Sequence, residues 1–326
     1  MEMTDIDQYF RIAKKFGNDI FYAQAGGGNT SIKLGDKLYI KSSGSMLQEA
    51  ARDKTSVLSL NDGSQLKESG FSHLKPSMEF GFHLDIRSKY VFHLHCLRTV
   101  LLSVVDKCND LVKDIRDLGI DCEYLDYLTP GAELHNAIKA LDIGSRQGVV
   151  ILQNHGIIAF SDDISELETI VAAVGIVATA MLNRENYYFE SPPLVKKSAQ
   201  QAEYTSFILD HDIDVSALFN FRDFMYTPDH VVFLIDKVSW TPIHSYKQID
   251  MDKRDYVYFT DKGEVIFPNI SSSLFEMVWS LLFMIRGLMQ MEHIKSHRLL
   301  SVHESRKLLK MPEEKYRKLL ALEKGL

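Results

Sequence analysis

The chain has 326 residues, more than a single domain usually holds, which points to one large domain or two moderate ones. A hydrophobic fraction of 45%, a charged fraction of 25% and a formal net charge of −7 fit a globular protein and argue against nucleic acid as the main partner, because neutralising phosphate needs a basic surface. The three cysteines lack metal-type or disulfide spacing, the N-terminus is acidic with no signal-like apolar core, and Glu276 and Arg286 interrupt the most apolar stretch, so the expectation is a cytoplasmic protein with no membrane span.

From about Asp5 to Ala23, Ile6, Phe10, Ile12, Ala13 and Phe16 recur at helical spacing. Gly26-Gly27-Gly28 follows. Thr30 to Leu34 and Lys37 to Lys41, joined by Gly35-Asp36, alternate as a β-hairpin, and Ser42-Ser43-Gly44-Ser45 turns the chain. Pro76 introduces a helix over Ser77 to Arg87. Tyr90 to His95 is a strand, and a helix runs from about Arg98 to Val105. Thr129-Pro130-Gly131 leads into a helix over about Ala132 to Leu141. Gly148 to Leu152 is a continuous apolar strand, which Ile157 to Phe160 extends past a corner at His155-Gly156. A long helix from about Ile164 to Arg184 turns Leu167, Ile170, Val171, Val174 and Val177 inward. This alternation predicts an α/β layered domain ending near residue 190, with Ser191-Pro192-Pro193 as the linker.

Beyond the linker the texture changes. His230 to Ile235 and Tyr256 to Phe259 read as strands, Asp261-Lys262-Gly263 turns into a third at Val265 to Phe267, and a helix over about Ser272 to Met291 precedes two short C-terminal helices. The basic residues near the C-terminus (Lys295, Arg298, Arg306, Lys307, Lys310, Lys315, Arg317, Lys318) read as a solvated helix face.

Three histidines carry the chemistry. In Tyr90-Val91-Phe92-His93-Leu94-His95, alternation aims His93 and His95 at one point while Phe92 and Leu94 bury the opposite face. His155 ends a buried strand just before Gly156. Taken singly, each reads equally as a satisfied core or surface residue. Together they predict a three-imidazole site with an open coordination position, as in catalytic zinc. Glu79 offers a carboxylate that can move a proton beside a divalent cation, or else an exposed helix-start residue favoured by the macrodipole. His83, one turn on, reads as structural. Gly26 to Ser31 and Ser42-Ser43-Gly44 are small-residue loops able to present N–H groups and hydroxyls to an oxyanion, although tight turns explain such loops equally well. Tyr127 is a phenol placed either to donate a proton or to pack.

Gly28-Asn29-Thr30-Ser31, Ser42-Ser43-Gly44, Pro76-Ser77-Met78-Glu79, His93-Leu94-His95, Tyr127 with Pro130-Gly131, and Asn154-His155-Gly156 occur in an order and spacing that resembles the class II aldolase/adducin family over residues 5 to 190. The resemblance implies a layered α/β/α domain with a central, mostly antiparallel sheet over residues 1–192; the remainder, 193–326, reads from its own residues as a smaller α+β accessory region. It implies zinc, or another divalent transition metal, on His93, His95 and His155. Asn29, Ser43, Gly44 and Ser77 would take a substrate phosphate, with Glu79 as acid/base and Tyr127 protonating the departing aldehyde oxygen. The activity so implied is cleavage or formation of a C–C bond in a phosphorylated ketose through a metal-stabilised enediolate, in a homotetramer. Sister chemistries are 4-epimerisation, decarboxylation or dehydration; a non-catalytic adducin-like binding protein is the other class.

The chain also departs from the family pattern. Met78 stands where the aldolases offer a second serine to phosphate, with Lys75 and Lys41 as the nearby cations. Cys96 replaces a common proline, the stretch between Glu79 and His93 is shorter, and the C-terminal part exceeds the short aldolase tail.

Overall fold

The computed structural model describes residues 4–141, 143, 146–185, 187, 195–199, 202–208, 225–234, 239–250, 252–253, 256–260, 263–268, 271–291 and 297–323. The linker expected at Ser191-Pro192-Pro193 lies outside the described residues, as do Asp261-Lys262, Ile235 and Lys295.

An eight-stranded sheet has the order β4-β3-β2-β1-β5-β8-β7-β6. Its strands are β1 (Asn29–Leu34), β2 (Lys37–Lys41), β3 (Thr55–Ser59), β4 (Gln65–Leu66), β5 (Tyr90–Leu94), β6 (Cys122–Leu125), β7 (Gly148–Leu152) and β8 (Gly156–Ser161). Neighbours run antiparallel except β6 and β7. Strand alternation sorts the side chains into two layers. Phe92, Leu94, Ile151, Ile157 and Ala159 face one core, shared with α1 (Asp5–Gly17), α3 (Leu97–Val104), α4 (Cys108–Arg116) and α6 (Ile164–Arg184). Val91, Val150, Leu152, Ile158 and Phe160 face the other, closed by α2 (Phe80–Asp85) and α5 (Ala132–Ala140). This is the expected layered α/β/α arrangement with a mostly antiparallel sheet.

The C-terminal region contains a five-stranded sheet of order β11-β12-β13-β10-β9, made of β9 (Val195–Ala199), β10 (Ala202–Ile208), β11 (Ser239–Ile243), β12 (Tyr256–Thr260) and β13 (Glu264–Phe267). Its helices are α7 (Pro228–Leu234), α8 (Ser272–Gln290), α9 (Val302–Lys310) and α10 (Pro312–Glu323). The core does not stop between the two parts. Met277, Leu281, Phe283 and Met284 of α8 belong to the same buried cluster as Phe92 and Leu94, and α8 approaches α3 so closely that a Cβ on Gly287 would lie 2.5 Å from Leu101. By length and composition α6 and α8 could each cross a membrane, yet both contribute buried residues to this core.

Four local expectations change. His230 to Leu234 is helical rather than extended: Pro228 begins α7, and the Thr227 hydroxyl accepts the His230 N–H at 3.2 Å, a start signal that a short all-apolar run masks. The helix expected from Ser77 starts only at Phe80, because Pro76 bridges Ser42 and the Ser77 N–H is used by the Lys41 carbonyl at 3.0 Å. Ile157 to Phe160 does not extend the preceding strand but folds back on it, pairing Leu152 with Gly156. The first helix ends at Gly17, where Asn18 caps it, and not near Ala23.

The β7–β8 hairpin turns through Asn154, whose φ of 57° lies in the left-handed region. Its buried side chain holds the turn from the far side. Nδ2 donates to the carbonyls of Tyr226 (2.8 Å) and Arg298 (2.9 Å), while Oδ1 accepts from Arg298 at 3.2 Å. Asn154→Ala should destabilise the protein by about 3 kcal/mol, combining left-handed strain on alanine with buried carbonyls left unpaired, as read by denaturant titration.

Candidate metal centre

β5 carries His93 within the strand and His95 just past its end, and the β7–β8 turn brings His155 alongside. Register places Asn29 of β1 opposite His93 on one side and Ile158 of β8 on the other. The Nδ1–H of His93 donates to the Ile157 carbonyl at 2.9 Å, which leaves a lone pair on Nε2. Nε2 of His95 accepts the Gly28 N–H at 3.2 Å, so its proton sits on Nδ1, 3.0 Å from Oδ2 of Asp229. His93 Nε2 stands 3.3 Å from His155 Nε2 and 3.2 Å from His95 Nε2.

Those separations suit one ion. Zinc–nitrogen bonds of about 2.0–2.1 Å in a tetrahedron hold the nitrogens about 3.3–3.4 Å apart. Burial pushes His155 well below its ordinary range, reinforced by His93 and His95. Burial also lowers His93, against the opposing pull of Glu79. Both rings are therefore neutral near pH 7, the form that binds a metal. Glu79 completes the donor set: Oε2 lies 3.4 Å from His93 Nε2, and Oε1 lies 3.7 Å from His155 Nε2. Oε1 is buried with no hydrogen-bond partner. A carboxylate in such a place is costly unless a cation compensates it. The residues fit a divalent cation.

Glu79 is held by a chain of hydrogen bonds. Ser31 Oγ lies 2.8 Å from His83 Nδ1, His83 Nε2 lies 2.5 Å from Asn29 Oδ1, and Asn29 Nδ2 donates to Glu79 Oε2 at 2.8 Å. With Nε2 donating to Asn29, His83 accepts the Ser31 hydroxyl at Nδ1, and burial keeps this imidazole neutral. The structural role expected for His83 is thus a specific one: it orients Asn29, and through it Glu79.

The oxyanion loops reach the same place. Asn29, Ser43, Gly44 and Ser77 line one cavity with Glu79, His95 and His155, beside Met78 and Lys41. Lys41 Nζ bonds to the carbonyls of Gly26 (2.9 Å) and Ser45 (2.6 Å). Lys75 instead sits over the Tyr316 ring, 5.2 Å from its centroid. Tyr127 is not among the residues lining the cavity. Its ring packs under Arg298 at 5.0 Å, and its hydroxyl is buried with no hydrogen-bond partner.

Three residues here were invisible to motif reading: Asp229 at the start of α7, and Glu314 and Arg317 one turn apart on α10. All three line the cavity. Arg317, expected on a solvated face, has a side chain only 14% exposed; it pairs with Asp229 Oδ1 and both oxygens of Glu314, each at 3.0 Å. Burial would raise the Asp229 carboxyl, but Arg317 and His95 outweigh it and hold the group well below the usual carboxylate range. Nothing in local spacing links these positions to the histidines, because the link is made by tertiary packing of α7 and α10.

Residues 9–181 match the family described as the class II aldolase and adducin N-terminal domain, more than half of the chain. The chain belongs to that family. A class II aldolase-type domain therefore carries the histidine tripod, Glu79 and the oxyanion loops, whereas Asp229, Glu314 and Arg317 lie beyond it. Among curated relatives, an L-fuculose phosphate aldolase of Methanocaldococcus jannaschii is 30% identical over 171 residues, covering 49% of this chain and 86% of the relative. An L-fuculose phosphate aldolase of Methanococcus maripaludis is 28% identical over 169 residues, covering 50% and 87%. Among solved structures, the N-terminal class II aldolase domain of a conserved protein from Thermoplasma acidophilum aligns at 21% identity with a TM-score of 0.49, over 56% of this chain and 95% of that one.

Two outcomes test the site. His155→Ala should abolish stoichiometric retention of a divalent metal, measured by elemental analysis after dialysis, with the circular dichroism spectrum unchanged. Gly44 has a φ of 72°, and a Cβ there would lie 2.6 Å from Leu320 Cδ1 on α10. Gly44→Ala should cost about 1–2 kcal/mol from the left-handed backbone alone, and more from displaced α10, read as a lower thermal midpoint.

Proposed function

We propose that the protein is a zinc-dependent lyase that cleaves or forms a C–C bond in a phosphorylated ketose. The observation that carries this reading is the gathering of His93, His95 and His155 around one point, with His95, His155, Glu79 and the small-residue loops lining one cavity. A zinc ion on His93, His95 and His155 would supply Lewis-acid polarisation of the substrate carbonyl.

The chain's own groups do the rest. Asn29 fixes Oε2 of Glu79, so Oε1 is the atom that takes and returns the proton on the substrate carbon. Ser43, Gly44 and Ser77 would hold the phosphate, with Lys41 as the nearby cation where Met78 supplies no hydroxyl. The cavity measures about 30 Å³, and Leu320 of α10 stands beside Gly44 at its wall.

A homotetramer and a cytoplasmic setting belong to the same proposal; Cys96, Cys108 and Cys122 are free thiols, as a reducing compartment permits. The test is a panel of ketose 1-phosphates offered to zinc-loaded protein, with release of dihydroxyacetone phosphate as the readout. Glu79→Gln should lower kcat by about 10²–10⁴-fold while zinc stays bound. Scrambling of sugar configuration without cleavage would replace this reading by the epimerase one. A protein that neither retains zinc nor turns over any member of the panel would be the binding-protein class.

A further inference from the structure

We propose that Asp229 is a positioning residue of the metal centre: its carboxylate fixes the His95 imidazole so that Nε2 faces the cation, which makes the C-terminal region part of the site. This rests on the metal-centre reading and not on the choice of substrate.

Two of the three imidazoles have their outer nitrogen engaged in different ways. His93 uses the backbone carbonyl of its neighbouring strand, at 2.9 Å. His95 lies just beyond the end of β5, and what faces its Nδ1 is Asp229 Oδ2 at 3.0 Å. That oxygen is buried with no hydrogen-bond partner, which leaves it available to the Nδ1 proton. Because Gly28 N–H points at Nε2, Nδ1 is the protonated nitrogen and Asp229 the group that meets its proton. A carboxylate behind a ligating imidazole raises its basicity and fixes its tautomer and ring plane.

The surroundings serve this contact. Arg317 holds the opposite oxygen, Oδ1, at 3.0 Å and is itself gripped by Glu314. The glycine run clears space on the near side: a Cβ on Gly27 would lie 2.5 Å from Asp229 Oδ2 and 2.6 Å from His95 Nδ1. Glu276 of α8 accepts the Ala25 N–H at 2.5 Å and so tethers the same loop. Asp229 lies outside the family match of residues 9–181, so this support is supplied by a region that the family's domain does not include.

The experiment compares full-length wild type, Asp229→Asn, Asp229→Glu and Gly27→Ala, each loaded with cobalt(II). Metal affinity is measured by chelator competition, and the visible absorption reports coordination geometry. Asp229→Asn should weaken cobalt binding about 10–100-fold and alter the spectrum. Asp229→Glu should recover part of that loss, and Gly27→Ala, which touches no ligand nitrogen of the cation, should weaken binding by wedging the pair apart. Unchanged affinity and spectrum in Asp229→Asn and Gly27→Ala would overturn the inference and leave Asp229 as a tether for α10. If neither variant folds, nitrogen-15 spectra of the metal-free wild type decide: Nδ1-protonated His95 supports the role, Nε2-protonated His95 overturns it. A wild-type chain that takes up no cobalt would remove the metal centre itself. Metal binding that depends on Asp229 in a protein that cleaves no sugar phosphate would remove only the proposed reaction.

Discussion

Imidazole nitrogens and a carboxylate oxygen are gathered, buried, around one point, and neighbouring elements hold them there. Such groups repel one another and lose hydration together, so their convergence is stable only with a positive charge among them. The backbone meets part of this demand through the strand ladder, which orders β1, β5 and β8 so that Asn29 and His93 face each other and the Ile157 carbonyl takes the His93 proton. Side chains meet the rest. Ser31, His83 and Asn29 brace Glu79 from one side, while Asp229 and Arg317 stand against His95 from another.

Among the described residues, the C-terminal half is joined to this centre by contacts of several kinds. α8 packs apolar residues into the main core and steadies the glycine loop through Glu276. Tyr226 and Arg298 offer carbonyls to Asn154 beside His155. α7 and α10 place Asp229, Glu314 and Arg317 on the wall of the cavity. An aldolase-type domain and an appended region have thus become one packing unit, although only the first is matched by the family.

The layout of the aldolase-type domain is readable wherever local pattern and tertiary role coincide. β5 shows its alternation openly, and Ile164 to Arg184 shows its helix with the expected inward face. The histidine tripod was legible for the same reason, since two ligands share one strand face and the third precedes a glycine. Reading failed where a nonlocal bond decided the outcome. Ser77 looked like a helix start until its N–H was claimed by the Lys41 carbonyl, and His230 to Leu234 looked like a strand because all-apolar runs have no period to read. Arg317 looked like one basic residue among many, and only the meeting of α10 with α7 shows it to be buried in an ion-pair network.

Ribosomes build chains from the amino end, and the clasp on Asn154 therefore has an order in time. His93, His95 and His155 emerge early, but the carbonyls that hold the turn beside His155 come from Tyr226 and Arg298, and the guanidinium behind Asp229 comes from position 317. A nascent polypeptide carrying all three ligands still lacks the parts that lock them in place. The centre is accordingly completed by residues translated well after all three of its histidines.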